Sequence, residues 1–91
     1  MRKYIVKAIT SQNVLNSARY AKQFDSETDA KIAALKMRAV YNPDGEVVVL
    51  QATGEEQSVR DFDGVRNYAV YREIYNADAR PLSAFRYLFK E

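Results

Sequence analysis

The run Glu46-Val47-Val48-Val49-Leu50-Gln51-Ala52 is the most apolar stretch of the chain, with three consecutive β-branched valines within it. Consecutive apolar residues on a strand point alternately to both faces, so such a run needs cover on both sides and reads as a central strand. Asp44-Gly45 just before it supplies turn chemistry. In a chain of 91 residues, almost everything else must serve as cover or neighbour for that strand. The length implies one domain, residues 1–91, with no core left over for a second.

The flanking segments are read against this strand. Arg2 to Ile9 alternates β-branched and aromatic residues with Lys3 and Lys7, the pattern of a strand. Thr10 to Ser17 is polar and reads as a loop, with Val14 and Leu15 as unexpected apolar residues that either tuck onto the core or dock on a partner. Arg19 to Phe24 returns as a second, antiparallel strand. Ser26 with Asp29 forms a variant capping box, Glu27 and Asp29 occupy the first turn, and Lys36 and Arg38 lie near the end. Ala30, Ala33, Ala34, Met37, Val40 and Tyr41 recur at helical spacing, and Pro43 stops the helix near Asn42.

Thr53 to Gly64 is polar and broken by glycine, which reads as a loop or one short helical turn. Val65 to Tyr75 fits both the strand and the helix template; its Val, Ile and three Tyr favour a strand. Pro81 suits the first turn of a helix, and Leu82, Phe85, Leu88 and Phe89 make an apolar stripe behind it. The expected fold class is therefore α+β, in the order β-β-α-β-β-α, with a mostly antiparallel sheet packed by two helices.

The composition excludes much chemistry. The chain has no histidine and no cysteine, so it lacks the usual neutral-pH base, the commonest metal ligand and the best nucleophile. No Ser-x-x-Lys dyad occurs. Gly45, Gly54 and Gly64 are too far apart to form a phosphate-cradling loop. Asp61-x-Asp63-Gly64 fails as a calcium loop, because Arg66 stands where glycine is required and Arg72 where glutamate should close the site. Pro43-Asp44 with Glu46 has Val48 where a metal-nuclease core needs lysine. The expectation is a non-enzymatic protein without cofactor or metal.

Charge is unevenly spread: residues 1–24 hold five cations and no anion, while residues 25–64 hold four cations against nine anions. Eight arginines and seven tyrosines concentrate toward the end. Arginine offers a planar fork to phosphate and tyrosine a flat face to a base. The candidate ligand-binding residues are Arg66, Tyr68, Arg72, Tyr75 and Arg80, with Lys3, Lys7 and Arg19 as a secondary basic surface. On a strand, Arg66, Tyr68 and Arg72 share a face, opposite Tyr71 and Tyr75. The expected partner is an anionic ligand, a nucleotide or a nucleic acid. The alternative is a protein target, blocked by a regulator of the kind that phages and mobile elements encode. A short chain with more sheet than its helices cover also predicts a homo-oligomer, most simply a two-fold dimer.

Tyr4-Ile5-Val6 is cut off by Lys7, which is unlike a signal peptide, and no run approaches a membrane span. With the missing cysteines, these features give a cytoplasmic expectation and no membrane partner.

Overall fold

A computed structural model describes residues 3–9, 15–16, 22–41 and 43–90, with the backbone alone at 15, 16 and 90. Strands β1 (Tyr4–Ile9), β2 (Leu15–Asn16) and β3 (Lys22–Phe24) come first. Helix α1 (Glu27–Lys36) follows and runs into a π-helical turn, Met37–Tyr41; β4 (Glu46–Asp61), β5 (Gly64–Asn76) and β6 (Arg86–Lys90) complete the order. All strands belong to one sheet, ordered β2-β6-β5-β4-β1-β3. Its five longer strands are antiparallel neighbours, and the two-residue β2 lies parallel to β6 at one edge.

The expected α+β arrangement with two helices is overturned: among the described residues the order is β-β-β-α-β-β-β, with one α-helix and a dominant sheet. The second helix fails for a physical reason. β5 leaves its edge open from Tyr68 to Arg72, and the C-terminal segment satisfies its backbone there, pairing Lys90 with Tyr68 and Arg86 with Arg72. A helix of about ten residues gains little by itself. Leu82 and Phe85 are exposed, so the supposed stripe does not exist. Tyr87, Leu88 and Phe89 are all buried, Tyr87 and Phe89 on the concave face and Leu88 opposite Val70 on the other, so this short run is covered on both sides as a strand is.

The expected loop from Thr53 to Gly64 is also corrected, since it forms the outer half of the β4–β5 hairpin. Asp61 pairs with Gly64 across a two-residue turn, Phe62-Asp63, and the Asp61 carboxylate accepts the Asp63 N–H at 2.8 Å. Gly64 has a φ of 116° there, which other residues rarely adopt. Where Ala52↔Tyr71 passes to Glu56↔Ala69, Thr53, Gly54 and Glu55 stand opposite Val70 alone. The Thr53 hydroxyl stabilises this bulge by donating to the Val70 carbonyl and accepting the Glu55 N–H, each at 3.2 Å.

Ile5, Val48, Leu50, Ala69, Tyr71, Tyr87 and Phe89 are buried together on one face. The Lys7 ammonium lies 5.6 Å from the centre of the Phe89 ring. β4 and β5 stand between these residues' strands at about 4.8 Å per step, so the contact requires the sheet to curl, with this face concave. On the other face Ala30 and Ala34 of α1 pack on Tyr4, Val6, Val47 and Val49. The two alanines have no exposed surface, and their small size lets the helix approach closely.

Ser26 caps α1 as expected, its hydroxyl accepting the Asp29 N–H at 3.3 Å. Val40 and Tyr41 do not join the packed stripe. The wider π turn shifts the helical phase and leaves both exposed. That turn directs Arg38 to the carbonyls of Pro43 and Gly45 and to the Asp78 carboxylate, which in turn accepts the Val47 N–H. The end of the helix is thereby tied to the start of β4. Val14 and Arg19 lie outside the described residues, as does the side chain of Leu15.

Replacing Ala34 with Asp places a carboxylate in this helix–sheet contact and is predicted to cost about 2 kcal/mol or more. Thr28→Asp on the exposed first turn should be close to neutral. Urea titrations of the two variants check the assignment; equal midpoints would contradict it.

Candidate functional site

β5 is a strand throughout Gly64–Asn76, so Arg66, Tyr68 and Arg72 do share a side. Arg72 is opposite Gln51 on one neighbour and Arg86 on the other, and Gln51 is opposite Tyr4. A row Tyr4–Gln51–Arg72–Arg86 therefore crosses four strands on the α1 side of the sheet. Arg72 donates to the Gln51 side-chain oxygen from Nε at 3.3 Å and Nη2 at 3.0 Å. The Gln51 amide nitrogen donates to the Tyr4 hydroxyl at 3.5 Å, and the Lys3 ammonium lies 5.6 Å from the centre of the Tyr4 ring.

Two arginines thus stand directly opposite each other, an arrangement that like-charge repulsion disfavours. Glu55, carried out of line by the bulge, pairs with Arg86. Arg72 has a neutral amide for its partner and is exposed. With Lys3 at its end, the row carries three cations against one carboxylate.

The other predicted residues are dispersed. Arg66 lies on the hairpin's outer half and pairs with Asp61 at 3.5 Å and Asp63 at 3.4 Å. Tyr68 is half-buried on the Arg72 side, two cross-strand positions nearer the hairpin tip. Tyr75 was expected opposite Arg72, on the side of Tyr71. Instead Ile74 is an extra residue between the Leu50↔Glu73 and Val49↔Tyr75 pairs, and the bulge turns Tyr75 to the α1 side. There its ring centre lies 5.7 Å from the Lys31 ammonium. Lys7 is on the concave face, and Arg19 falls outside the described residues.

Arg80 stands at the open end of the curl, 3.3 Å from the Glu46 carboxylate, beside a cavity of about 1050 Å³. Tyr87 lines that cavity. Burial chiefly raises the pKa of its phenol, the Glu73 and Glu46 carboxylates add to the rise, and the Ser83 hydroxyl opposes it. Burial also lowers the pKa of Lys7.

Gln51, Arg86 and Glu55 were missed as site residues. Reading Arg86 to Lys90 as a strand beside β5 would have put Arg86 opposite Arg72. Gln51 ends the apolar run on the same side as Val49 and could have been found by alternation alone. Glu55 depends on the bulge and has no such signal. Among the described residues, no group of three or more acidic side chains is placed to hold a metal ion, and no helix is long and apolar enough to cross a membrane. Comparison with protein-family models, curated proteins and solved structures finds no match.

The Tyr87 shift gives a pH dependence. Because the folded pKa is raised, the unfolded chain loses this proton first as pH climbs past about 10. The stabilisation is complete below that pH and is lost as pH rises through the folded pKa. Lys7 acts with the opposite sign, since its lowered pKa makes stability rise toward its unfolded value. The difference between wild type and Tyr87→Phe isolates the phenol: the variant should lose less stability than wild type above about pH 10. Identical alkaline slopes in urea titrations would show that the phenol is not held in this environment.

Proposed function

We propose that this protein is a non-enzymatic binding protein that holds an anionic, phosphate-bearing ligand, a nucleotide or a nucleic acid, on the Arg72 row. The observation that carries this reading is the direct opposition of Arg72 and Arg86 on exposed strand positions. Two guanidiniums side by side repel each other in the free protein, and an anion between them relieves that repulsion. Each presents a planar fork suited to phosphate oxygens. Gln51 holds the Arg72 fork, so less side-chain freedom is lost on binding.

Tyr68 lies about 13 Å from Arg72 along β5, at roughly 3.3 Å per residue. A ligand touching both is extended, with phosphate at the arginines and a base toward the phenol. The absence of histidine and cysteine supports binding over catalysis. A protein target is the second reading, and Phe62 favours it: this ring is fully exposed at the tip of the hairpin, where it covers no part of its own chain. Self-association belongs to either reading. Ile32 and Leu35, three apart on α1, are exposed on its outer side and offer a patch for a two-fold contact.

The test is anisotropy of a labelled oligothymidylate, with calorimetry of ATP beside it. Arg72→Lys keeps the charge but loses the fork and is predicted to weaken binding roughly ten- to hundredfold. Lys36→Ala, on the exposed end of α1, should change it by less than about threefold. A steep loss of affinity with added salt marks a polyanion and a shallow one a nucleotide. If neither probe binds, or Arg72→Lys binds like wild type, the anion reading fails and the Phe62 tip becomes the surface to examine. For self-association, sedimentation should give twice the 10.4 kDa chain mass, and Leu35→Glu should return the single-chain mass; a wild-type monomer at tens of micromolar would contradict it.

A further inference from the structure

The outer half of the β4–β5 hairpin has an open strand edge. β1 covers β4 from Glu46 to Gln51, and its last contact is the Ala52 N–H donating to the Lys3 carbonyl at 2.9 Å. From Glu56 to Asp61, β4 has β5 on one side and, among the described residues, no strand on the other. Which residues face outward follows from the turn. Asp61 and Gly64 flank a two-residue turn and exchange both backbone hydrogen bonds, so Asp61, Val59 and Gln57 bond toward β5. Glu56, Ser58 and Arg60, which alternate with them, point their N–H and C=O groups away from the sheet. Among the described residues, none of those groups has a backbone partner. The Ser58 hydroxyl donates to the Asn67 side-chain oxygen at 2.8 Å. That contact agrees with this assignment, because side chains come closest where a cross-strand pair shares no backbone bonds.

The Glu56 and Arg60 side chains are exposed, and no charged group among the described residues pairs with either. Charges of one sign guard an open edge by repelling a second copy. Here the two charges have opposite signs and lie symmetrically about Ser58, which makes the edge complementary to itself.

We propose that two copies of the chain pair through this edge, β4 against β4, antiparallel about a two-fold axis at Ser58. Backbone and charge select the same register independently. Outward groups meet outward groups only when Glu56, Ser58 and Arg60 oppose one another, and Ser58 opposite Ser58 uses all of them. That register sets Arg60 of each copy opposite Glu56 of the other, a favourable cross-strand pair. It also sets Glu55 opposite Asp61, but each has an arginine in its own chain, Arg86 and Arg66 respectively. The turn of each copy reaches Gly54 and Thr53 of the other and stops short of Ala52, where β1 occupies the edge. The exposed Phe62 ring comes beside Gly54, where no described residue crowds the position a side chain would take. Because the axis passes through the sheet, the Arg72 rows of both copies lie on the same side. The contact needs neither the anion reading nor the Ile32 and Leu35 patch. Its small apolar area makes it the weaker of the two contacts, filled at concentrations above those that fill the patch.

The experiment records isotope-filtered nuclear Overhauser spectra of equal mixtures of labelled and unlabelled full-length protein, at about 1 mM so that a weak interface is filled. Wild type is expected to show a cross-copy peak between the α-protons of Gln57 and Val59. These residues are opposite each other in the proposed pair, whereas along one strand they are about 6.6 Å apart. Glu56→Arg alone and Arg60→Glu alone should each lose the peak, since like charges then face each other. Labelled Glu56→Arg mixed with unlabelled Arg60→Glu should regain it, because opposite charges meet again. Leu35→Glu, which disrupts the α1 patch, should keep the peak, so failure of that contact and failure of this one are told apart. The wild-type spectrum decides the matter even if a variant does not fold. No wild-type peak, a peak that survives in both single variants, or a mixture that does not regain it would overturn the proposal, as would cross-copy peaks from Val65 and Asn67 on the other edge in its place.

Discussion

β4 and β5 pair antiparallel from Val48 opposite Asn76 to Asp61 opposite Gly64, and the other long strands attach to one or the other. β1 adds to β4 through Tyr4–Ile9, and β6 adds to β5 through Arg86–Lys90. Helix α1 rests on β1 and β4, with its end held at the start of β4 by Arg38. The register of this one hairpin therefore sets both faces of the sheet. A slip by one residue would move Val48, Leu50, Ala69 and Tyr71 out of the concave core and Val47 and Val49 off the helix.

Two irregularities in the hairpin decide where polar chemistry appears. The bulge at Thr53-Gly54-Glu55 brings a carboxylate beside Arg86, which makes the opposed arginines tolerable without cancelling them. The extra residue Ile74 turns Tyr75 toward α1 while Glu73 stays on the concave side, so the strand delivers a tyrosine to the helix packing and an acid to the open end. Bulges re-aim side chains in this way without interrupting a sheet. The result is a row rich in cations on the convex side and an acidic cavity on the concave side.

Elements whose signals are local could be read from the sequence. Ser26, Asp29 and the alanine spacing specify α1 through contacts a few residues apart, and the apolar run after Gly45 has no use except as a covered strand. Val65 to Tyr75 fits both templates and its residue types only tip it toward the strand that forms, whereas Tyr68 and Arg72 are neighbours in either geometry. What was illegible depends on distant partners. Thr53 to Gly64 is polar and carries two glycines, yet it pairs because β5 runs alongside it. Leu82, Phe85, Leu88 and Phe89 satisfy helical spacing, and only the open edge of β5 makes a strand the better state for the last part of that segment. That error hid Arg86 from the site, because a residue's cross-strand neighbour is a property of register and not of its own segment.

The arrangement of the site thus rests on β6 pairing with β5 in the observed register. Nuclear Overhauser spectroscopy of the backbone protons tests it most directly. Residues opposite each other on antiparallel strands have α-carbons about 4.5–5.5 Å apart. Cross-strand peaks are therefore expected between Arg72 and Arg86, Tyr71 and Tyr87, and Val70 and Leu88. A series of peaks between residues three apart from Pro81 to Phe89, with none to β5, would mark a helix there; it would remove Arg86 from Arg72 and contradict the account.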